Sequence, residues 1–266
     1  GTLTLLSDFG LVDPFIGMMR GVIADVARQA RVIDITHQIR PQNVRQAARI
    51  LAESSQYFPP GTVHVAVVDP GVGTARRAIA AQIGRDYYVA PDNGLLSPII
   101  RKAAQDRLPM RIVHLDQSKY WLPDPSFTFH GRDIFAPVGA HLVNGVPLTR
   151  LGNPIEDPVT IDQTTPKQTE RGWLGEVVSV DVFGNLGSNI PAHLLPEDYE
   201  HTTIEIEGQS IQGITRAFAD QSPGTLIALV DSRGALAIAV VNGNASQELN
   251  ADIGAPIRVR FPDPIS

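Results

Sequence analysis

The stretch TLTLLSDFGLVDPFIGMMRGVIADVARQARVIDI, residues 2–35, reads as strand, helix, strand. Thr2 to Leu6 is a short apolar run that breaks at Ser7-Asp8-Phe9-Gly10. From Phe15 to Ala30, apolar residues recur at Phe15, Ile16, Met18, Met19, Val22, Ile23 and Val26, the stripe of an amphipathic helix. Val32 to Ile35 is a second strand. The alternation continues outward. Val44 to Tyr57 carries apolar positions at Val44, Ala47, Ala48 and Leu51 and stops before Pro59-Pro60-Gly61. Thr62 to Val68 is a third strand that breaks at Asp69-Pro70-Gly71, and Tyr87–Ala90 and Arg111–Leu115 are further strands. Asp133 to Val143 predicts a helix with Pro137 in its first turns, where proline is tolerated. This pattern implies an α/β domain over residues 1–152, with a central mixed or parallel sheet flanked by helices.

The second half reads differently. Gly175–Val182, Thr203–Ile206, Thr225–Val230, Leu236–Val241 and Ile257–Phe261 are short β-like segments separated by Gly, Pro and Asp/Asn turns, without a helical stripe. They imply a smaller β-barrel-like domain over residues 172–266. Residues 153–171 are polar, contain Pro154, Pro158 and Pro166 without periodicity, and read as a linker.

Composition narrows the function. The formal net charge of -6 argues against a nucleic-acid-binding surface. The chain has no cysteine, which excludes disulfides, thiolate metal sites and thiol nucleophiles. No apolar run approaches the ~20 residues of a membrane span. The segment GTLTLLSDFG already reads as a strand with no signal-peptide pattern before it, so a cytoplasmic location is expected.

Four aspartates, Asp8, Asp69, Asp92 and Asp231, stand where an apolar strand breaks into a turn. In α/β sheets ligands bind outside the carboxyl ends of the strands. Aspartate also suits turns for its own hydrogen bonding, and that explains any one of them. Four together favour a shared site. DPGVGTARR, residues 69–77, has glycines that admit close backbone approach but lacks the spacing and lysine of a phosphate loop. Arg76 and Arg77 are adjacent, so in extended chain only one faces the site. His130, in TFHGRDIFAP (residues 128–137), is either a satisfied core histidine or a base in an apolar wall. Asp69, an arginine and His130 together can position and deprotonate a water. Metal binding by Asp8, Asp69 and His130 has no spacing in its favour, and no metal is expected. In the β-rich half, Phe183 offers a flat face to a base, Asn185 can donate to and accept from an adenine edge, and Arg233 can pair with a carboxylate.

Taken in order, LLSDFG, GMMRGVI, VIDITHQI, YFPPGTVHVAVVDPGVGT, VAPDNGLL, TFHGRDIFAPVGAHL, VDVFGNLGSNI and DSRGALAIAVVNGNAS resemble one family across nearly the whole chain. The chain resembles the adenosine-forming S-adenosyl-L-methionine (SAM) hydrolases, also called SAM hydroxide adenosyltransferases, which are relatives of fluorinases and chlorinases. The resemblance implies hydrolysis of SAM to adenosine and L-methionine by in-line attack at C5′, with SAM as substrate and no cofactor. It implies a catalytic set of Asp69, Arg76 and His130; in it His130 is expected to accept the proton, Arg76 to steady the developing hydroxide and Asp69 to orient Arg76 or the water, with Asp69 as the alternative base. It places Asp8 at the ribose, Asp13, Asp181, Ser232 and Arg233 at the methionine end, and Phe183, Asn185 and the backbone near Ala245 at the adenine. Phe129, beside His130, joins the substrate-binding residues. The aromatic that stacks on substrate in fluorinases falls here at Gln42. The resemblance further implies a homotrimer with sites at subunit interfaces. The alternatives are a SAM-dependent halogenase, in which the family carries tyrosine where this chain has Asp69, and a SAM- or adenosine-binding protein without turnover.

Overall fold

The structure is a computed structural model that describes residues 1–261; residues 262–266, the end of the expected C-terminal domain, lie outside the described residues. The chain divides into two compact units, Gly1–Asp162 and Gln163–Ser266.

In the first unit, β1 (Thr2–Ser7), β2 (Arg31–Thr36), β3 (Val63–Val67), β4 (Ala78–Ile83), β5 (Asp86–Pro91) and β6 (Met110–His114) form one sheet in the order β2-β1-β3-β5-β4-β6. β1 pairs in parallel with β2 and β3, and β3 with β5, whereas β4 is antiparallel to β5 and β6. The sheet is therefore mixed. Helices α1 (Phe15–Val26) and α4 (Ala136–Val143) cover one face, and α2 (Val44–Ser55) and α3 (Ser97–Gln105) the other. Leu3, Leu5, Val63 and Val65 cluster with Met19 and Ile23 of α1 and Val138 of α4. Leu6 and Ala66 cluster with Ala47 and Leu51 of α2 and Ile99 of α3. Burial on both faces explains why β1 and β3 read as unbroken apolar runs.

Helix ends follow local chemistry. α2 starts where the Asn43 side chain accepts the Gln46 N–H, a standard N-cap. α1 ends at Val26, the last residue of the apolar stripe and four residues before the end of the expected segment, and the Asn144 side chain donates to the freed Val26 carbonyl. The helix expected over 133–143 is α4 preceded by a π-helical turn at Gly131–Phe135. Residues 153–162 lie against the first unit. His114 N–H bonds Asn153 O, Ile155 N–H bonds Ile112 O, and Val159 N–H bonds Asp92 Oδ1.

The second unit is antiparallel: β7 (Lys167–Thr169), β8 (Gly172–Val180), β9 (Leu186–Pro191), β10 (Thr203–Ile206), β11 (Gln209–Gln212), β12 (Leu226–Val230), β13 (Ala235–Val240) and β14 (Pro256–Arg260). Their order is β11-β10-β14-β8-β9-β13-β12, with β7 on β8. A bridge between Thr215 and Leu229 brings the chain after β11 onto β12, so the sheet nearly closes as a barrel around Val177, Leu186, Ile204, Ile238 and Ile257. One short helix, α5 (Ala245–Leu249), sits between β13 and β14, N-capped by Asn244.

One histidine belongs wholly to the core. His64, at 0% exposure on β3, shares its Nδ1 with Thr4 Oγ1 at 2.8 Å and stacks on Tyr88 with ring centroids 5.1 Å apart. Its Nε2 has no partner, and burial pushes its pKa down to about 4 from 6.5. A depressed value in the folded state means the neutral ring stabilises the fold above pH 6.5, and that stability is lost as pH falls toward 4. Denaturant unfolding should therefore show a loss of roughly 2 kcal/mol between pH 7 and pH 5 from this group. In His64→Gln the unfolding free energy should be lower at pH 7 but fall less between those two pH values. An unchanged acid slope in the variant would assign the loss elsewhere.

Candidate active site

The topology fixes where a site can form. From β1 the chain crosses to β2 on one side, then to β3 on the other, so the carboxyl ends of β1 and β3 flank a switch point. Ser7 and Val67 are paired in register, so Asp8 and Asp69 emerge side by side at that edge. Asp92 follows β5, but both its oxygens are committed: Oδ2 to Arg77 and Oδ1 to Val159 N–H. It ties residues 153–162 to the sheet rather than facing a ligand. Asp231 lies in the second unit.

The loop after Asp69 doubles back. Val72 N–H bonds Asp69 O, and the Thr74 N–H and hydroxyl both bond Gly71 O. Gly73 sits at φ 76°, and a Cβ there would strike the Phe127 carbonyl oxygen, so the position requires glycine. The turn returns Arg76 to the aspartate it started from. Arg76 Nε donates to Asp69 Oδ1 at 2.8 Å and Nη2 pairs with Oδ2. The two side chains are only 11% and 5% exposed. Arg77 points the other way, to Asp92 and Asp157, as alternation in an extended segment predicts.

His130 completes the group. Arg76 Nη2 lies 2.8 Å from His130 Nδ1. A guanidinium has donors and no acceptor, so Nδ1 must accept and the neutral ring carries its proton on Nε2. Burial, then the Arg76 charge, hold the imidazole below its usual range, against opposing effects of Asp69 and Asp133. The ring is thus neutral near pH 7. The π-helical turn that follows it packs Phe135 under Arg76, whose guanidinium carbon is 5.2 Å from the ring centre. Such turns often mark functional sites, and this one has no sequence signal of its own.

Phe9, Phe15 and Phe129 form an aromatic cluster beside this group, with centroids 5.1 to 5.8 Å apart; Phe129 meets each of the other two edge-on, and Phe9 and Phe15 are tilted to each other. Gly131 lies against it, so that a Cβ would come 3.1 Å from both Phe9 and Phe129. Asp8 Oδ2 accepts the Gln42 backbone N–H at 2.7 Å, so Gln42 enters through its main chain. Asp13 is exposed. A cavity of about 550 Å³ reaches Arg76 and His130 from the side of Trp121, Asp124 and Phe127. Among the described residues, no three His, Cys, Asp or Glu side chains converge as a metal-ligand set, and no helix is long and apolar enough to cross a membrane.

The expected residues of the second unit fall in two turns. Asp181 organises the first: Oδ1 accepts Phe183 and Asn185 N–H, and Oδ2 accepts Asn185 Nδ2 at 2.8 Å. Gly184, at φ 83°, lies against Asn244, and its carbonyl accepts Ser246 N–H, which sets Ala245 beside this turn. Phe183 is 72% exposed. In the second turn, Ser232 is exposed and Arg233 bonds Asp231 Oδ2 and Ser179 Oγ, each at 2.8 Å. Ala245 is fully buried, so neither its side chain nor its own backbone is exposed on this chain. Sequence reasoning passed over Ser7 and His37, which are hydrogen-bonded to each other beneath Asp8. Their signal is pairing of β1 with β2, visible only in three dimensions.

Family models match both units: the SAM hydroxide adenosyltransferase N-terminal domain over residues 3–152 and the C-terminal domain over 175–258. The chain is 39% identical to an (R)-S-adenosyl-L-methionine hydrolase of Salinispora tropica, over 97% of each chain. It is also 39% identical to one of Thermus thermophilus, over 96% of this chain and 97% of that one. A fluorinase of Actinopolyspora mzabensis is 26% identical over 97% and 96%. A crystal structure of an uncharacterized conserved protein from Thermotoga maritima superposes with a TM-score of 0.90 at 38% identity, covering 97% of this chain and 99% of that one. With both halves matched in order and near-full-length relatives at this identity, the chain belongs to the SAM hydroxide adenosyltransferase family.

Proposed function

We propose that the chain hydrolyses SAM to adenosine and L-methionine, with water attacking C5′ in line with the departing sulfur. The observation that carries this reading is the continuous Asp69–Arg76–His130 hydrogen-bonded chain at the switch point next to Asp8. The substrate is a sulfonium, so C5′ already bears a neutral leaving group. As the water oxygen bonds to C5′, the C5′–S pair goes to sulfur and methionine leaves as a thioether. The water proton must go to a base. His130 presents Nε2–H, a donor, because Arg76 occupies Nδ1. Asp69 is therefore the proton acceptor in this reading, since each of its oxygens keeps a lone pair beyond the Arg76 bonds. His130 Nε2–H holds the water oxygen, and Arg76 fixes both partners. Attack on a cation with transfer to a carboxylate neutralises charge, which a water-poor site favours. Asp8 holds the ribose, and Phe129 lines the substrate. A halide in place of water would face the Asp69 carboxylate, whose charge repels it.

The second unit is proposed to supply Asp13's partners at the methionine end (Asp181, Ser232 and Arg233) and the adenine contacts Phe183, Asn185 and Ala245. In this reading it does so across a subunit interface in a homotrimer. Both site-bearing loops expose apolar side chains that water does not favour. Leu11 and Val12 are 65% and 99% exposed in the first unit, and Val182 and Phe183 92% and 72% in the second.

Incubation of the protein with SAM in low-halide buffer should yield adenosine and methionine, unaffected by EDTA, and oxygen-18 water should label the adenosine 5′-hydroxyl. Intact SAM, or label elsewhere, would sink the reading. Asp69→Asn should lower kcat about 10²- to 10⁴-fold with little change in KM, as loss of a transition-state base does, while Asp8→Ala should act mainly on KM.

The role of His130 is separable from that of Asp69. His130→Gln can keep an N–H near the Nε2 position and should retain at least ~10-fold more activity than His130→Ala, as an oriented donor would. Equal inactivity of both would make the ring the base. Because the imidazole sits below 6.5, kcat/KM should stay level through neutral pH and fall only in acid below that value, where protonation sets a second donor against Arg76.

Co-refolding of Asp69→Ala with Asn185→Ala tests assembly. Each variant should be inactive alone, but mixed trimers would contain some interfaces free of both lesions and should regain activity. A monomeric solution mass, or inactive mixed trimers, would place the site within one chain.

A further inference from the structure

Ser7, His37 and Asp34 line up beneath the Asp8 turn. Ser7 Oγ is 2.8 Å from His37 Nδ1, and His37 Nε2 is 3.3 Å from Oδ1 of Asp34, whose other oxygen pairs with Arg20. The residue types are those of a hydrolytic triad, but the placement is not. Ser7 is 1% exposed and so is the His37 side chain, so this hydroxyl meets no substrate. Ser7 Oγ accepts the Phe9 N–H at 3.3 Å, which leaves its own proton for Nδ1. The His37 carbonyl accepts the Gly10 N–H at 2.8 Å. One residue thus grips the chain just before Asp8 and again two residues after it. The same connection between β2 and α2 supplies the third hold, the Gln42 N–H on Asp8 Oδ2. Gln42 stands at φ 64°, a conformation a side chain adopts at a cost, so this loop is shaped for the contact. A position enclosed to this degree suits an aliphatic residue on packing grounds. A histidine there needs polar partners: Nδ1 and the carbonyl find theirs in the Asp8 turn, while Nε2 makes no hydrogen bond and has only Asp34 Oδ1 nearby, at 3.3 Å.

We propose that His37 is a positioning residue: through Ser7 and through its own carbonyl it sets the Ser7–Gly10 turn, so that Asp8 offers one oxygen to the ribose while Gln42 holds the other. The proposal rests on the reading of Asp8 as the ribose ligand.

Steady-state kinetics with SAM on Ser7→Ala, His37→Leu, His37→Asn, Asp8→Ala and the Ser7→Ala/Asp8→Ala double variant, with thermal melts of each, test it. Ser7→Ala and His37→Leu should raise KM about tenfold and leave kcat within about threefold, the size of a lost hydrogen bond that serves binding. His37→Asn, whose amide oxygen can take the place of Nδ1, should return KM to within about threefold of the parent. The double variant should be no worse than Asp8→Ala, because the two changes remove one interaction. Ser7→Ala carries the test if His37→Leu does not fold. If Ser7→Ala and Asp8→Ala multiply, or if the melts fall while KM holds, the clamp is structural only and the proposal is overturned. If Asp8→Ala itself leaves KM unchanged, the ribose role is wrong and the proposal falls with it.

Discussion

The guanidinium of Arg76 is the joint on which the site depends. Burying an ion pair is costly unless its geometry is close to ideal and the remaining donors are used. Here Nε and Nη2 meet the two oxygens of Asp69, Nη2 also meets His130, and Phe135 lies under the plane. Each partner comes from a different piece of backbone. Asp69 ends the run of β3, Arg76 closes the loop that Gly73 lets pass beneath Phe127, and His130 and Phe135 bracket the π-helical turn. Lysine, with a point charge and no fork, could not join these three segments.

That joint also decides chemistry. Because arginine only donates, it sets the histidine tautomer, and the tautomer sets which triad member can take a proton. From sequence alone His130 is the favoured proton acceptor, with Asp69 as the alternative; the 2.8 Å contact on Nδ1 is what turns the proposal toward Asp69. The same logic divides the aspartates. Asp8 and Asp69 leave adjacent parallel strands, and Asp69 spends its oxygens on Arg76 beside His130, whereas Asp92 leaves a strand end in the same sheet and spends one oxygen on Arg77 and the other on the Val159 backbone N–H. A strand-end aspartate is thus a site residue only if the surrounding backbone does not claim it.

Much of this was legible in the chain. The β1-α1-β2-α2-β3 series shows its periodicity because each element buries a defined face, and the Asp69, Arg76 and His130 motifs sit at its breaks. β4 and α3 went unread. AIAAQI on β4 is small, alanine-rich and almost wholly buried, so it has neither alternation nor bulk to announce a strand. β9, LGSNIP, carries Gly, Ser, Asn and Pro against strand propensity, and pairing with β8 and β13 on its two sides overrides that preference. The π-helical turn and the Ser7–His37 contact depend on what packs nearby, since residues thirty apart meet only once β1 and β2 are in register.

The economy of the site follows from its proposed substrate. A sulfonium needs no acid to expel its leaving group, so the protein has little proton transfer to manage and much positioning to do. Holding a water and C5′ in line replaces a bimolecular encounter by a pre-set one, which by itself lowers a barrier by about 7 to 11 kcal/mol when the geometry is tight. The polar atoms here are arranged for tightness. The proposed water-activating group is tied by a bidentate pair and a third bond, and the Asp8 turn is tied at both ends and at the carboxylate. Part of that rigidity comes from concealed side chains: Ser7 and His37 beneath Asp8, and Phe135 beneath Arg76. Changes at those concealed positions should therefore reach catalysis through small displacements of Asp8 and Asp69 rather than through lost chemistry.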